Sequence, residues 1–112
     1  MLFKKEINPY PVMDKVTFRN LDKTLTLTVR SDGSSIVVGL KKANERLNGL
    51  TDETPEDERL DAARYFARTI FGQDQGDQLV DFYNGDALAI ITACGVYFRE
   101  RLAKKITKAQ KK

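Results

Sequence analysis

The hydrophobic pattern of this chain changes its period once, between residues 30 and 36. Over residues 24–30 apolar and polar residues alternate strictly, which places Leu25, Leu27 and Val29 on one face of a β-strand. Beyond that point apolar residues recur at spacings of four and three, as on one face of an α-helix: Ile36, Leu40, Ala43, Leu47 and Leu50. A strand pattern followed by a helical stripe within 112 residues predicts a single α+β domain.

A shorter alternation over residues 15–19 supplies a second strand, with Val16 and Phe18 as its apolar positions. Asn20–Lys23 lies between the two runs and has the length and composition of a hairpin turn. We expect the apolar face of this hairpin to pack on helices. Threonines fill its other face, which is typical of solvent exposure and also of an edge that pairs with another chain.

Two interpretations compete for the segment after the hairpin. The apolar stripe favours a helix over residues 34–48, capped by Asp32 or Ser34 and ending near Gly49. The β-branched run Ile36–Val38 would also suit a third strand. Because the stripe has five members, we favour the helix.

Start and stop signals predict three further helices, which makes the fold predominantly helical. Thr54 is the expected N-cap of a helix that has Pro55 in its first position and ends at Gly72. A short helix is predicted over residues 75–83. Asp86 is then the expected cap of a long helix over residues 87–108.

The last helix is apolar on nearly every side through its first half. One stripe is expected to face the domain's own core: Leu88, Ile91, Gly95, Phe98 and Leu102. The other apolar residues, Ala87, Ile90, Cys94 and Tyr97, are either wrapped by the rest of the domain or form an interface with a partner or a second copy. The predicted partner-binding residues are therefore Ile90, Cys94, Tyr97, Arg101, Lys104 and Lys105.

Charge is distributed in blocks along the chain. Residues 52–98 carry three Lys and Arg against ten Asp and Glu, whereas residues 99–112 carry seven against one. This basic end of the last helix has two interpretations. It is a solvated helix terminus that complements the helix dipole, or it is a site with its own partner, nucleic acid included.

The residue types available exclude most catalytic chemistry. The chain has no histidine and a single cysteine, Cys94, so Ser-His-Asp and Cys-His arrangements and zinc-ribbon spacings cannot be built. Gly72 and Gly76 are followed by Asp77 rather than by a phosphate-binding pattern, and are interpreted as helix ends. We expect a protein that is not an enzyme, with no cofactor and no metal site.

No targeting or membrane signal is evident. Charged residues follow Met1–Phe3 at once, and the longest apolar run, residues 87–98, is shorter than the roughly 20 residues needed to cross a bilayer. Pro9 and Pro11 predict an irregular segment over residues 1–13. A cytoplasmic protein without membrane contact is expected.

The layout of the chain resembles that of the small tail assembly chaperones of long-tailed phages and prophages. The segments that carry the resemblance are Thr24–Val29, Leu40–Leu50, Ala62–Gly72 with its terminal Phe-Gly, and Leu79–Asp86. The resemblance extends over about residues 14–106, and what is similar is the order of the strands and helices along the chain. It implies a non-enzymatic virion morphogenesis factor that binds the tape-measure or tail-tube protein. The alternative is a small nucleic-acid-binding or regulatory protein that uses the basic last helix.

Overall fold

The computed structural model describes residues 11–110, apart from the side chains of Pro11, residues 31–34 and residues 109–110. Two strands, β1 (Pro11–Asn20) and β2 (Lys23–Asp32), precede helices α1 (Gly33–Asn48), α2 (Glu56–Phe71) and α3 (Gln73–Phe82). The last helical run consists of α4 (Ala87–Tyr97), a π-helical turn (Phe98–Leu102) and α5 (Ala103–Gln110). The expected α+β class, a hairpin followed by helices, is confirmed.

The hairpin has the predicted faces but a tighter turn. β1 and β2 pair antiparallel, and only Leu21 and Asp22 separate the closing pair of Asn20 and Lys23. The predicted apolar face of the hairpin points into the core, where Leu27 and Val29 are fully buried, whereas Met13 and Leu21 are exposed. Residues 1–13 were predicted to be irregular, and residues 1–10 of that segment lie outside the described residues. The prediction is wrong for Pro11–Met13, which belong to β1.

Helix α1 forms where the stripe predicted it, so a third strand at Ile36–Val38 is ruled out. Ile36 and Ala43 are each 1% exposed, whereas Val37 and Val38 face solvent. A strand would have buried alternate residues. The helical period instead buries one residue of this β-branched run and exposes the other two.

The predicted cap of α2 is wrong. Pro55 is the N-cap of that helix, and the side chain of Thr54 turns back to accept a hydrogen bond from the N–H of Thr51 at 2.8 Å. The hydroxyl of Thr54 therefore bonds within the loop before α2 and does not cap the helix. Arg59 closes the same loop by donating to the carbonyls of Thr51 and Asp52 at 3.0 and 2.6 Å.

Gly72 ends α2 as predicted, but Gly76 is not a helix end. Gly72 has a φ of 87°, which favours glycine. Gly76 lies inside α3 and is buried where α3 crosses α2; a Cβ there would lie 2.7 Å from the Cα of Arg68. Beside this crossing, the guanidinium of Arg68 donates two hydrogen bonds to the carboxylate of Asp77. Those hydrogen bonds lower the pKa of Asp77.

One side chain of α3 closes part of the free edge of β2. Gln75 accepts a hydrogen bond from the N–H of Thr28 at 2.9 Å and donates to the carbonyl of the same residue at 2.7 Å. The amide group therefore pairs with β2 as the backbone of a neighbouring strand would. It satisfies two half-buried backbone groups that would otherwise lack partners.

The last helix is capped as predicted but buries the opposite face. The carboxylate of Asp86 accepts a hydrogen bond from the N–H of Ala89 at 3.2 Å. The buried residues of this helical run are Ala87, Ile90, Cys94, Tyr97, Leu102 and Ile106. Leu88, which was assigned to the core stripe, is 74% exposed. The prediction of the two faces is therefore wrong through the first half of the helix.

The π-helical turn explains why Leu102 is buried together with this opposite face. In a regular helix Leu102 continues the stripe through Leu88 and Phe98, because the spacings are four and three. The turn adds one residue to the winding, so that Leu102 instead follows Tyr97 on the buried face and Ile106 comes one turn later. The ring of Tyr97 stacks on that of Phe71 with centroids 5.9 Å apart, which fixes the helix against α2.

Candidate functional site

An open groove runs between the free edge of β1 and the outward face of α4. Its volume is about 660 Å³. Val16–Arg19 form one wall, and Ala89, Thr92, Ala93 and Val96 contribute to the other. Leu88 borders the groove and is the most exposed large apolar side chain of α4. The apolar surface left uncovered on the last helix therefore lies on the side that faces this groove.

The pairing of the hairpin determines which backbone groups of β1 face the groove. In a two-residue turn the closing pair, Asn20 and Lys23, exchanges both backbone hydrogen bonds. Alternation then places Lys15, Thr17 and Arg19 in non-hydrogen-bonded pairs. Their N–H and C=O groups point away from β2 and towards the groove. Thr28 is opposite Lys15, and its outward bonds to Gln75 agree with this alternation.

Side chains bind two of these outward carbonyls. The hydroxyl of Tyr83 donates to the carbonyl of Arg19 at 3.1 Å, and the guanidinium of Arg101 donates to that of Lys15 at 3.0 Å. Between them, the N–H and C=O of Thr17 have no hydrogen-bond partner in the described part of the chain. At Thr17 the groove thus holds an unpaired donor and an unpaired acceptor of an extended backbone, between two carbonyls that side chains already bind.

A buried carboxylate anchors the Arg101 end of the groove. Asp14 is 8% exposed and accepts hydrogen bonds from the hydroxyl of Tyr97 at 2.9 Å and the guanidinium of Arg101 at 2.6 Å. Burial by itself raises the pKa of Asp14, but hydrogen bonds from Tyr97, the backbone of Lys15 and Arg101 outweigh it and lower the pKa. Burial and the bond to Asp14 raise the pKa of Tyr97, so the phenol stays protonated as a donor.

Replacing Asp14 with Asn should destabilise the protein by about 1–3 kcal/mol at pH 7, because a charge-assisted hydrogen-bond network is lost. The folded pKa lies below the usual 3.8. The contribution of the carboxylate is therefore fully present above the unfolded pKa and is lost as pH falls through the folded value. Denaturant unfolding of both proteins from pH 7 downwards should show the two curves converging in acid. Asp22→Asn, in the exposed turn, should change stability by less than about 0.5 kcal/mol; a pH-independent Asp14 effect would contradict the assignment.

The structure separates the six predicted partner-binding residues into two groups. Ile90 and Cys94 are 0% exposed and Tyr97 is 4% exposed, so these three belong to the core and do not form a surface. Arg101 and Lys105 surround Asp14, with the Lys105 ammonium 3.9 Å from its carboxylate. Lys104 is exposed. Of the six, Tyr97 and Arg101 line the groove.

The residues that define the groove include several that sequence reasoning missed. Thr17 lies far from Tyr83 and Thr92 in the sequence, and the tertiary fold brings the three together. The length of the hairpin turn was the available signal. With a two-residue turn, the backbone N–H and C=O groups of every odd-numbered residue of β1 point away from β2. A turn that spans Asn20–Lys23 does not determine which residues of β1 have outward-pointing backbone groups.

The positions of Cys94 and of the acidic run Glu56–Glu58 are explained by packing and by the helix dipole. Burial raises the pKa of the Cys94 thiol to about 12, so little thiolate forms near neutral pH. The acidic run Glu56–Glu58 occupies the first turn of α2, where the helix dipole favours negative charge. Across residues 11–110 no three His, Cys, Asp or Glu side chains are grouped so as to hold a metal ion. In the same residues, no helix is long and apolar enough to span a bilayer.

Comparison with known proteins supplies no template for this groove. No protein-family model, curated protein or solved structure matches the chain. The features that bear on function are those of the groove itself: its apolar helical wall, its unpaired strand edge and the charges around it.

Proposed function

We propose that this protein is a non-enzymatic binding protein that holds a protein partner in the groove between β1 and α4. The observation that carries the proposal is the coincidence of two surfaces that usually pack against something. One is a strand edge with unpaired backbone groups, and the other is an apolar helix face with Leu88 largely in solvent. A partner segment in the groove would cover both.

The role that best fits such a protein is that of a tail assembly chaperone or virion morphogenesis factor in the cytoplasm of a bacterial host. The resemblance in layout supports it, because the hairpin, the helix ending in Phe71-Gly72 and the long last helix occur in the expected order. The partner would be the tape-measure or tail-tube protein. A chaperone must release its client, and an open groove suits reversible binding.

The basic end of the last helix favours a second candidate, nucleic-acid binding. Arg99, Lys104 and Lys108 are exposed and lie outside the Asp14 cluster. Such cations can neutralise phosphates, and the affinity would then fall steeply with salt. The groove ranks first because Asp14 engages Arg101 and Lys105, which reduces the basic surface available.

A matched pair of substitutions separates the two candidates. Thr92 and Thr107 are both exposed helical threonines, the first in the groove and the second beside Lys104 and Lys108. We expect Thr92→Glu to weaken retention of co-expressed tape-measure or tail-tube protein by about tenfold or more, because it places a charge against apolar contacts. Thr107→Glu should leave that retention unchanged.

The opposite outcome would favour the basic end. If Thr107→Glu alone weakens binding of a duplex DNA or RNA probe near physiological salt, and neither variant changes protein retention, the groove is not the functional site. Genes for tail-tube and tape-measure proteins on either side of this one would support the tail assembly role. Circular dichroism on both variants checks that each remains folded.

A further inference from the structure

We propose that the partner enters the groove as an extended segment that adds to β1 as a third strand, with acidic side chains two residues before and two residues after the position opposite Thr17. This rests on the proposed function, since it names the chemistry of the partner at the same groove. The unpaired N–H and C=O of Thr17 are the groups that an antiparallel strand would bind.

The faces of β1 specify the side chains of such a segment. Residues directly opposite each other in an antiparallel pair project on the same face. The positions adjacent to the central residue would therefore lie beside Val16 and Phe18, over the α4 wall formed by Ala89, Ala93 and Val96. Small or β-branched apolar residues suit these inner positions.

Charge specifies the outer positions. When the central residue of the partner segment is opposite Thr17, the segment's residues two positions before and after it are opposite Arg19 and Lys15. Their side chains project on the solvent face of β1. Neither cation takes part in an ion pair within the described residues. Aspartate or glutamate opposite each would form a favourable cross-strand pair. The carboxylates of Asp86 and Glu100 also line the groove, but they lie at the N-cap of α4 and in the π-helical turn, on the wall opposite β1.

The same charges oppose pairing of β1 with its own copy. Two copies related by a two-fold axis at Thr17 would place Lys15 of one strand opposite Arg19 of the other. Like charges in directly opposite positions destabilise a strand pair. The favoured occupant is therefore an acidic β-strand segment of another protein, and self-association is an outcome for the test to detect.

A short peptide probes this directly. The acetylated and amidated peptide Glu-Val-Thr-Val-Glu has acidic outer and apolar inner positions, and Lys-Val-Thr-Val-Lys is its charge-reversed control. We expect saturable shifts of the Lys15, Thr17 and Arg19 amide resonances in NMR titration, with the acidic peptide bound about tenfold more tightly. Methylating the central nitrogen of the acidic peptide should remove binding, because that N–H donates to Thr17.

A matched pair of proline variants isolates the strand edge. Thr17 and Thr26 are cross-strand neighbours, and their hydroxyls share one hydrogen bond of 2.8 Å. Each has its N–H pointing outward, on opposite edges of the hairpin, where proline removes no β1–β2 bond. Thr17→Pro should lower the affinity for the acidic peptide by tenfold or more (about 1.4 kcal/mol), whereas Thr26→Pro should not change it.

The outcomes distinguish this inference from the proposed function. If Thr92→Glu loses the protein partner while Thr17→Pro retains it, the groove binds protein but not by strand addition, and the inference is overturned. Saturable peptide binding that leaves the Thr17 amide unshifted, or equal affinity for the two peptides, also overturns it. So does a concentration-dependent dimer in light scattering that Thr17→Pro abolishes, because a second copy would then occupy the edge.

Discussion

Replacing Ile90 with alanine is expected to destabilise the protein by about 2–5 kcal/mol, the cost of removing a fully buried aliphatic side chain and leaving a cavity. Ile90 is 0% exposed and lies on the face of α4 that packs against the rest of the domain. Denaturant unfolding monitored by circular dichroism should give a lower midpoint with an unchanged slope.

Leu88→Ala is the matched control for this experiment. Leu88 lies two residues earlier in the same helix but is 74% exposed, so its truncation should change stability by less than about 0.5 kcal/mol. The sequence pattern alone assigned these two residues the other way round. Equal losses for both variants, or a larger loss for Leu88→Ala, would restore that assignment and remove the apolar wall of the groove.

Gly76→Ala is expected to destabilise the protein by about 1–3 kcal/mol, although alanine is the better helix former. A Cβ at this position would lie 2.7 Å from the Cα and 2.8 Å from the N of Arg68, and these backbone atoms of α2 cannot move without shifting the helix. The clash therefore outweighs the gain in helix propensity. Thermal and denaturant unfolding should both show the loss.

The same substitution at Gly95 should have the opposite sign. Gly95 is inside α4, and its nearest neighbour to an added Cβ is the tip of the Arg99 side chain at 3.4 Å, which can move away. Gly95→Ala should therefore stabilise the protein by up to about 1 kcal/mol. If Gly76→Ala were also stabilising, α2 and α3 would not cross as closely as the structure shows.

The groove could be predicted only in part from the sequence. The alternation over residues 24–30 correctly placed the threonines of the hairpin outward, and strand edges of that kind were expected to suit either solvent or another chain. What could not be predicted was the second wall. Both faces of α4 are apolar, so hydrophobicity does not distinguish the face that enters the core from the face that borders the groove.

Local rules determined much of this protein without reference to its fold. A period of two specified the hairpin and a period of 3.5 specified α1, because backbone geometry sets how side chains alternate between faces. Asp86 and Gly72 likewise mark helix boundaries through backbone interactions that involve only neighbouring residues. These features depend on short stretches of chain, and each was predicted correctly.

Tertiary packing decided the features that depend on distant residues. Thr54 bonds to the Thr51 turn rather than to α2, and Gly76 serves a helix crossing rather than a helix end. The π-helical turn at Phe98–Leu102 moves Leu102 onto the face of Tyr97 and leaves Arg101 beside Asp14, 87 residues away in the chain. Periodicity assumes one constant winding along a helix, whereas the π-helical turn changes the winding, so that Leu102 is buried and the half-exposed Arg101 reaches the buried carboxylate of Asp14.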